Sequence, residues 1–340
     1  MSFTIRVSGT DIRFPCAPDE TVLEAAERAG FALPHSCRRG ACETCTGDVS
    51  DGRFSVGLQG TPVAAPGSEV TLCRVHPRSD LEIRPRRIER KTMPERRRLS
   101  ATVYRVQYPA PDVAVLHLRF PAGVRVPFKA GQYLQLETAP GERRSYSLAN
   151  PPHKNDGALL HVRVIPGGAF SATLLPALEA GDTLPVELPY GDFYLRDGDQ
   201  PVILAATGTG FAPMRSIIES AIRRGLERPV ELYWGGRRAQ DLYLADAAAR
   251  WARKHPWFRF VPVLSQSETA PWDDWRAGHI DRAIMQDHAD LAGHRVYACG
   301  NPEMLAGLRA RLVGDRALPA DEFYCDAFVA TGADAGGDMG

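Results

Sequence analysis

Net charge is absent from this sequence: 41 Lys+Arg balance 41 Asp+Glu. That excludes a partner selected by bulk charge, such as a polyanion or an anionic membrane. Also missing is any apolar run near the roughly 20 residues a bilayer-spanning helix needs. The opening stretch, MSFTIRVSG, lacks a basic segment followed by a long apolar one, so no signal peptide is expected and the chain reads as cytoplasmic. Internal repeats are not found. The nine histidines are scattered and read as surface or structural groups. Cysteine is scarce, seven in 340 residues, and the odd count fits reduced thiols better than a disulfide framework.

What is present is the composition of a soluble globular protein, 44% hydrophobic and 24% charged, in a chain long enough for two or three domains. Three blocks separate. The first, residues 1–84, opens with alternating FTIRV and IRFPC, a hairpin pattern. ETVLEAAERAG then predicts a helix with Thr21 as N-cap and Gly30 as stop. Residues 85–99 are crowded with arginine, broken by Pro94 and without hydrophobic period, and are expected to form a solvated linker. The second block, 100–197, carries strand patterns (ATVYRVQY, VAVLHLRF, QYLQLET, RSYSLAN, LLHVRVI, TLPVEL) punctuated by Gly and Pro, which suggests a small antiparallel barrel. One helix is expected near FSATLLPALEAG. The third, 198–331, alternates apolar strands with helical stretches, the pattern of parallel βαβ units. Residues 332–340 are expected to be a disordered tail.

Cys37, Cys42 and Cys45 form C-x4-C-x2-C, and Cys73 follows after 27 intervening residues. Zinc sites favour paired C-x2-C knuckles, and only one such pair exists. The spacing matches the plant-type arrangement in which four thiolates hold a [2Fe-2S] cluster. A loop wrapping a cluster needs small residues, and Gly40 and Ala41 supply them. Arg38 and Arg39 either face water or help present an electron-transfer surface. Cys16, Cys299 and Cys325 fall outside the pattern.

In RRSYSLANPP, alternate side chains share a face of a strand. A guanidinium fork at Arg144 can meet a diphosphate while an aromatic at Tyr146 meets a flat ring. Downstream, PGGAFSATLLPAL places Gly167 and Gly168 before a helix with Phe170 and Ser171 at its start, where free amides bind phosphate; the alternative is an ordinary glycine turn capped by Ser171. PVILAATGTGFAPMRSII reads as strand, glycine turn and helix, from Thr207 through Gly208, Thr209 and Gly210 to Pro213, a residue suited to a first helical turn. YACGNPEM carries Cys299, Gly300 and Pro302. After the next strand, Arg237 and Arg238 stand where a ribose 2′-phosphate or an unphosphorylated ribose would lie, and they can also face water.

The RxYS, GTGxAP and CGxPxM motifs resemble those of the ferredoxin–NADP reductase superfamily. The resemblance implies that Arg144 pairs with the flavin pyrophosphate, Tyr146 packs on the isoalloxazine and Ser147 hydrogen-bonds its N5 edge. It further implies that Thr209, Gly210, Cys299, Gly300 and Pro302 line nicotinamide and pyrophosphate. Cys299 also fits a buried strand-end thiol, and Phe328 fits either a C-terminal aromatic on the flavin or a core residue. Ser147, Cys299 and Phe328 are the residues expected nearest the reacting atoms.

The order of blocks, over nearly the whole chain, resembles the reductase components of bacterial oxygenases. The expected fold is multidomain: an α+β β-grasp ferredoxin domain, an antiparallel β-barrel flavin domain and an α/β parallel-sheet nicotinamide domain. The cofactors implied are a [2Fe-2S] cluster, FAD (the flavin that goes with an N-terminal ferredoxin) and NADH or NADPH. The implied activity is an NAD(P)H-dependent flavin iron–sulfur oxidoreductase passing electrons to an oxygenase, of Rieske aromatic-ring type first. A diiron monooxygenase, a deoxysugar dehydrase, a free-standing flavin reductase or oxidase, and a bare electron carrier remain as alternatives.

Overall fold

A computed structural model describes residues 2–35, 38, 40, 43–58, 63–64, 67–90, 95–139 and 141–328. Cys37, Arg39, Ala41, Cys42 and the tail 332–340 lie outside the described residues. The chain divides into two compact units, Met1–Met93 with Cys325–Ala327, and Pro94–Tyr324 with Phe328.

In the first unit, β1 (Phe3–Val7) and β2 (Arg13–Cys16) form the antiparallel hairpin expected. Helix α1 (Val22–Arg28) starts where predicted. Thr21 Oγ1 accepts from Glu24 N at 3.2 Å and Glu24 Oε2 accepts from Thr21 N at 3.0 Å, satisfying two amides that the helix start leaves open. Its buried face is Val22, Leu23, Ala25 and Ala26. Burying a Val or Leu side chain stabilises by roughly 1.5–3 kcal/mol. There follow β3 (Phe31–Ala32), β4 (Thr46–Asp51), β5 (Arg53–Val56), β6 (Val63–Ala64), β7 (Ser68–Thr71), β8 (Val75–Pro77), β9 (Leu81–Pro85) and β10 (Glu89–Arg90). The main sheet runs β2-β1-β9-β4-β7, with β1 and β9 parallel. Residues 85–99 are not an unbroken linker. β9 runs into them, and β10 pairs with β3.

The second unit begins with β11 (Arg97–Ala110), β12 (Val113–Arg119), β13 (Tyr133–Ala139), β14 (Glu142–Ser147), β15 (Gly157–Arg163), a short helix α2 (Leu175–Ala177) and β16 (Thr183–Tyr190). The strands pair antiparallel in the order β14-β13-β16-β11-β12-β15. A bridge between Leu148 and Leu160 joins the two ends of that order and closes the barrel. Its core includes Leu116, Leu134, Leu160, Val162 and Phe170.

The same unit continues with β17 (Val202–Thr207), α3 (Phe211–Arg224), β18 (Val230–Gly236), α4 (Ala245–Lys254), β19 (Phe258–Leu264), β20 (Arg276–Ala277), α5 (Ile280–Asp287), β21 (Arg295–Gly300) and α6 (Pro302–Asp315), and β22 (Phe323–Ala327) follows, its last three residues grouped with the first unit. The sheet order is β20-β19-β18-β17-β21-β22, and β17 is parallel to both β18 and β21. β17 is apolar from Val202 to Ala206 because helices cover both faces of a parallel sheet. Pro213 is the third residue of α3, where its missing amide has no helical partner to lose.

Candidate functional site

The cysteine end is built by the turn before β4 and the loop after β7. Cys45 and Cys73 are both buried in the core of the first unit, and Leu72 N donates to Cys45 O at 3.0 Å, so two of the four expected ligands share one hydrogen-bonded corner. The donor set, thiols on two loops in an apolar surround, fits an iron–sulfur cluster. Ahead of Cys45, Arg38 is tied back to α1. Arg38, at φ 54, places Nη2 at 2.5 Å from Glu27 Oε1, and the Glu27 side chain is 8% exposed. Arg38 is therefore not merely solvated. His35 Nδ1 lies 2.9 Å from Leu33 O, and its Nε2 is 3.4 Å from Glu27. Sequence reasoning missed Glu27 and His35.

At the barrel end, β14 carries the RxYS residues. Tyr146 packs on the barrel core and its ring lies 5.4 Å from that of Phe170. Burial pushes the Tyr146 hydroxyl well above its ordinary range, so the group stays neutral. Ser147 is buried, and the next residue's amide is fixed by Leu148 N donating to Gln132 O at 2.9 Å. Arg144 Nη2 reaches Glu142 Oε2 at 3.2 Å, but that carboxylate is 55% exposed. An exposed pair of this kind contributes little and can be exchanged for a phosphate. These groups fit a flavin diphosphate with its ring above Tyr146. The expected helix after Gly167 and Gly168 is a wide π-turn, Ala169–Leu174, that leads into α2. Gly168 occupies the cap position, so Ser171 is not the cap. Its hydroxyl instead accepts from Ile165 N at 3.1 Å, folding the turn back on the strand before it.

The glycine turn Gly208–Gly210 joins β17 to α3. A Cβ at Gly210 would collide with the Cys299 carbonyl at the end of β21, and one at Gly300 would collide with Thr207 Oγ1. The two motifs expected to hold the dinucleotide therefore meet backbone to backbone, in a cradle that a side chain would fill. Thr207, Thr209, Cys299 and Gly300 come together here. Pro302 opens α6, and Asn301 Oδ1 accepts from Met304 N at 2.7 Å as its cap, a signal that the Asn-Pro pair held but sequence reasoning passed over. Phe328 N donates to Gly300 O at 2.8 Å, which places this aromatic beside the same turn; its ring packs on the sheet core.

Arg237 and Arg238 are exposed just past β18. Asp241 lies in the turn that follows, with Oδ2 accepting from Arg237 N at 2.8 Å and Arg238 N at 2.9 Å. It is occupied in shaping the turn. Three further residues escaped the sequence reading. Trp234 Nε1 donates to Gly208 O at 3.2 Å, and its ring is stacked on Phe211 at 3.9 Å. His161 is buried and Tyr243 half-buried beside Phe211. Of the nine histidines, His35, His76 and His161 are buried and belong to the structural part of the surface-or-structural expectation.

Three family models match: a 2Fe-2S iron-sulfur cluster binding domain over residues 5–78, an oxidoreductase FAD-binding domain over 100–194 and an oxidoreductase NAD-binding domain over 204–310. Among curated proteins, the chain is 40% identical to terephthalate 1,2-dioxygenase reductase component 1 of a Comamonas species, covering 97% of this chain and 98% of that one. It is 36% identical to the reductase subunit of an aromatic O-demethylase of an Amycolatopsis species, with 95% and 99% covered. Among solved structures, the Amycolatopsis cytochrome P450 reductase superposes with a TM-score of 0.75 at 34% identity over 96% of this chain and 98% of that one. The ferredoxin reductase in carbazole 1,9a-dioxygenase shares the fold, with a TM-score of 0.68 at 23% identity over 97% and 99%. The chain belongs to the family of FAD-, NAD- and 2Fe-2S-containing oxidoreductases that these reductase components make up.

Proposed function

We propose that this oxidoreductase is the reductase component of an aromatic ring-hydroxylating dioxygenase, that its acceptor is a Rieske-type oxygenase, and that it works in the cytoplasm. Terephthalate is the first substrate to try for that oxygenase, on the 40% identity to the Comamonas reductase. The observation that carries the reading is the meeting of the glycine turn with Cys299 and Gly300 in the same compact unit as the RxYS strand. When bound, NAD(P)H supplies a hydride, the flavin takes two electrons and gives them singly, and the cluster passes one at a time.

The chain's own residues bind and orient. Gly167, Gly168, Phe170 and Arg144 hold the flavin's diphosphate side, and Tyr146 and Ser147 meet its ring. Thr207, Gly208, Thr209, Gly210, Pro213, Gly300 and Pro302 hold the dinucleotide, with Cys299 and Phe328 at the nicotinamide and Arg237 and Arg238 at the adenosine ribose. Cys37, Cys42, Cys45 and Cys73 hold iron. None of the groups named has to move a proton, so the chemistry needs no acid–base pair.

A Cys73→Ser variant is expected to lose cytochrome c reduction, and the visible absorption and paramagnetic signal of the cluster, while NAD(P)H–ferricyanide activity stays within about twofold of wild type. Loss of both activities together counts against separate flavin and cluster stations. Purified wild-type protein supplied with terephthalate dioxygenase's oxygenase component tests the partner assignment directly, product formation being the readout.

A further inference from the structure

We propose that His161 and Tyr243 form a latch that positions the nicotinamide turn against the flavin strand, so that both are positioning residues for hydride transfer. The inference rests on the reading above, in which the turn Gly208–Gly210 holds the dinucleotide and the run after Ser147 lies at the flavin.

β15 alternates. Ala158, Leu160 and Val162 point into the barrel core, while Leu159 and His161 point outward. That outer face is covered by the parallel-sheet region. Leu159 packs with Val115, Ala149 and Ala212, the last of these in the first turn of α3. Backbone atoms of Leu159 also fix the flavin-side run, with Ala149 N donating to Leu159 O and Leu159 N donating to Asn150 Oδ1, both at 2.8 Å. Asn150 O in turn accepts from Ser216 Oγ of α3 at 2.7 Å. Two residues along the same face, His161 reaches the other side of the junction. Its Nδ1 is hydrogen-bonded to the Tyr243 hydroxyl at 2.8 Å, and its ring lies 6.2 Å from that of Phe211 at an interplanar angle of 30°.

Phe211 directly follows the glycine turn. It stacks on Trp234 with an interplanar angle of 8°, and the Trp234 indole N–H holds the Gly208 carbonyl. Tyr243 closes the group edge-on, 5.3 Å from Trp234 and 6.3 Å from Phe211. A single short strand therefore grips the flavin-side run through Leu159 and the nicotinamide turn through His161, two residues apart. Hydride transfer depends on distances of this kind, and a displacement of about 1 Å can cost 100-fold in rate. His161 touches neither reactant in this arrangement. It acts through Phe211, Trp234 and Gly208.

Tyr243→Phe removes the hydroxyl and keeps the ring, so the variant is expected to fold. In wild type and variant loaded with FAD, stopped-flow bleaching of the flavin by NADH and by NADPH gives the limiting rate and the dinucleotide affinity separately. Hydrogen–deuterium exchange gives the opening of the Gly208–Ala212 amides without turnover. The latch predicts a limiting rate lower by about tenfold and exchange faster by about tenfold, the loss of one partly buried hydrogen bond, with flavin content unchanged and a melting temperature lower by about 2–4 °C. An unchanged limiting rate in Tyr243→Phe overturns the latch, whatever the melting temperature does. A wild-type protein that neither dinucleotide bleaches overturns the functional reading instead, and exchange at Gly208–Ala212 then decides the latch alone.

Discussion

Burial pushes the His161 imidazole from its ordinary 6.5 down to about 3, and the neighbouring Arg215 guanidinium adds to the effect. Above pH 6.5 the ring is neutral in folded and unfolded chains alike, and the folded protein keeps its full stability. Below that, the unfolded chain takes up a proton that the folded chain refuses, and stability falls by about 1.4 kcal/mol per pH unit until the folded value is reached. His161→Gln removes this group, so wild type is expected to lose stability relative to the variant between pH 6 and 4, by an amount near that slope (on the order of 1.4 kcal/mol per unit). Urea unfolding at several pH values, followed by tryptophan fluorescence, checks it, since all five tryptophans belong to or pack on the parallel-sheet core. Parallel curves for the two proteins remove the claim. Nothing in LLHVRVI announces this histidine's burial. Strand alternation says that Leu159 and His161 share a face, but only the packing of α3 and Tyr243 decides that the face is covered. Cys45 and Cys73 are the opposite case, because ligand spacing is a chain property and survives without knowledge of tertiary neighbours.

Elements were legible where a local rule specifies them. α1 illustrates this, since Thr21 and Glu24 form the reciprocal cap that the sequence pattern signals. Thr21→Ala removes the acceptor for Glu24 N and is expected to destabilise the first unit by about 1 kcal/mol. Far-UV circular dichroism melting of the variant should show the loss, and Thr21→Ser should restore most of it; a melting curve equal to wild type would falsify the cap's contribution. β10 shows the limit. Two residues, Glu89–Arg90, pair with Phe31–Ala32 inside a stretch that reads as linker, because a pair of residues has no periodicity and arginine density looks like solvation. The turn after Gly168 shows the same limit. Ser171 has the chemistry of a cap, but capping depends on where the helix begins, and the hydroxyl is already taken by Ile165 N. Asp241 lies four residues past Arg237, and only the folded turn brings its carboxylate back onto the arginine amides.

At the scale of the whole molecule, the division into two units separates the cysteine corner from the barrel and parallel sheet, which share one unit. Stations arranged in series fail in distinguishable ways when one is removed. Arg144 is held in the folded protein by an exposed carboxylate 3.2 Å away and by its neighbour's carbonyl, Arg143 O, at 3.3 Å, so replacing it leaves the barrel core of Leu134, Leu136 and Leu160 intact. A charge-assisted contact to a diphosphate is worth about 1.5–3 kcal/mol, which corresponds to FAD binding weaker by roughly 10- to 100-fold in Arg144→Ala. Iron content and the dithionite-reduced paramagnetic signal are expected to match wild type, while ferricyanide and cytochrome c reduction fall together and recover together on adding excess FAD. That pattern is the mirror of Cys73→Ser, which spares the first activity and loses the second. Arg144→Ala protein that retains full flavin after gel filtration would take the diphosphate contact away from this residue, and recovery of ferricyanide activity alone would break the series order from flavin to cluster.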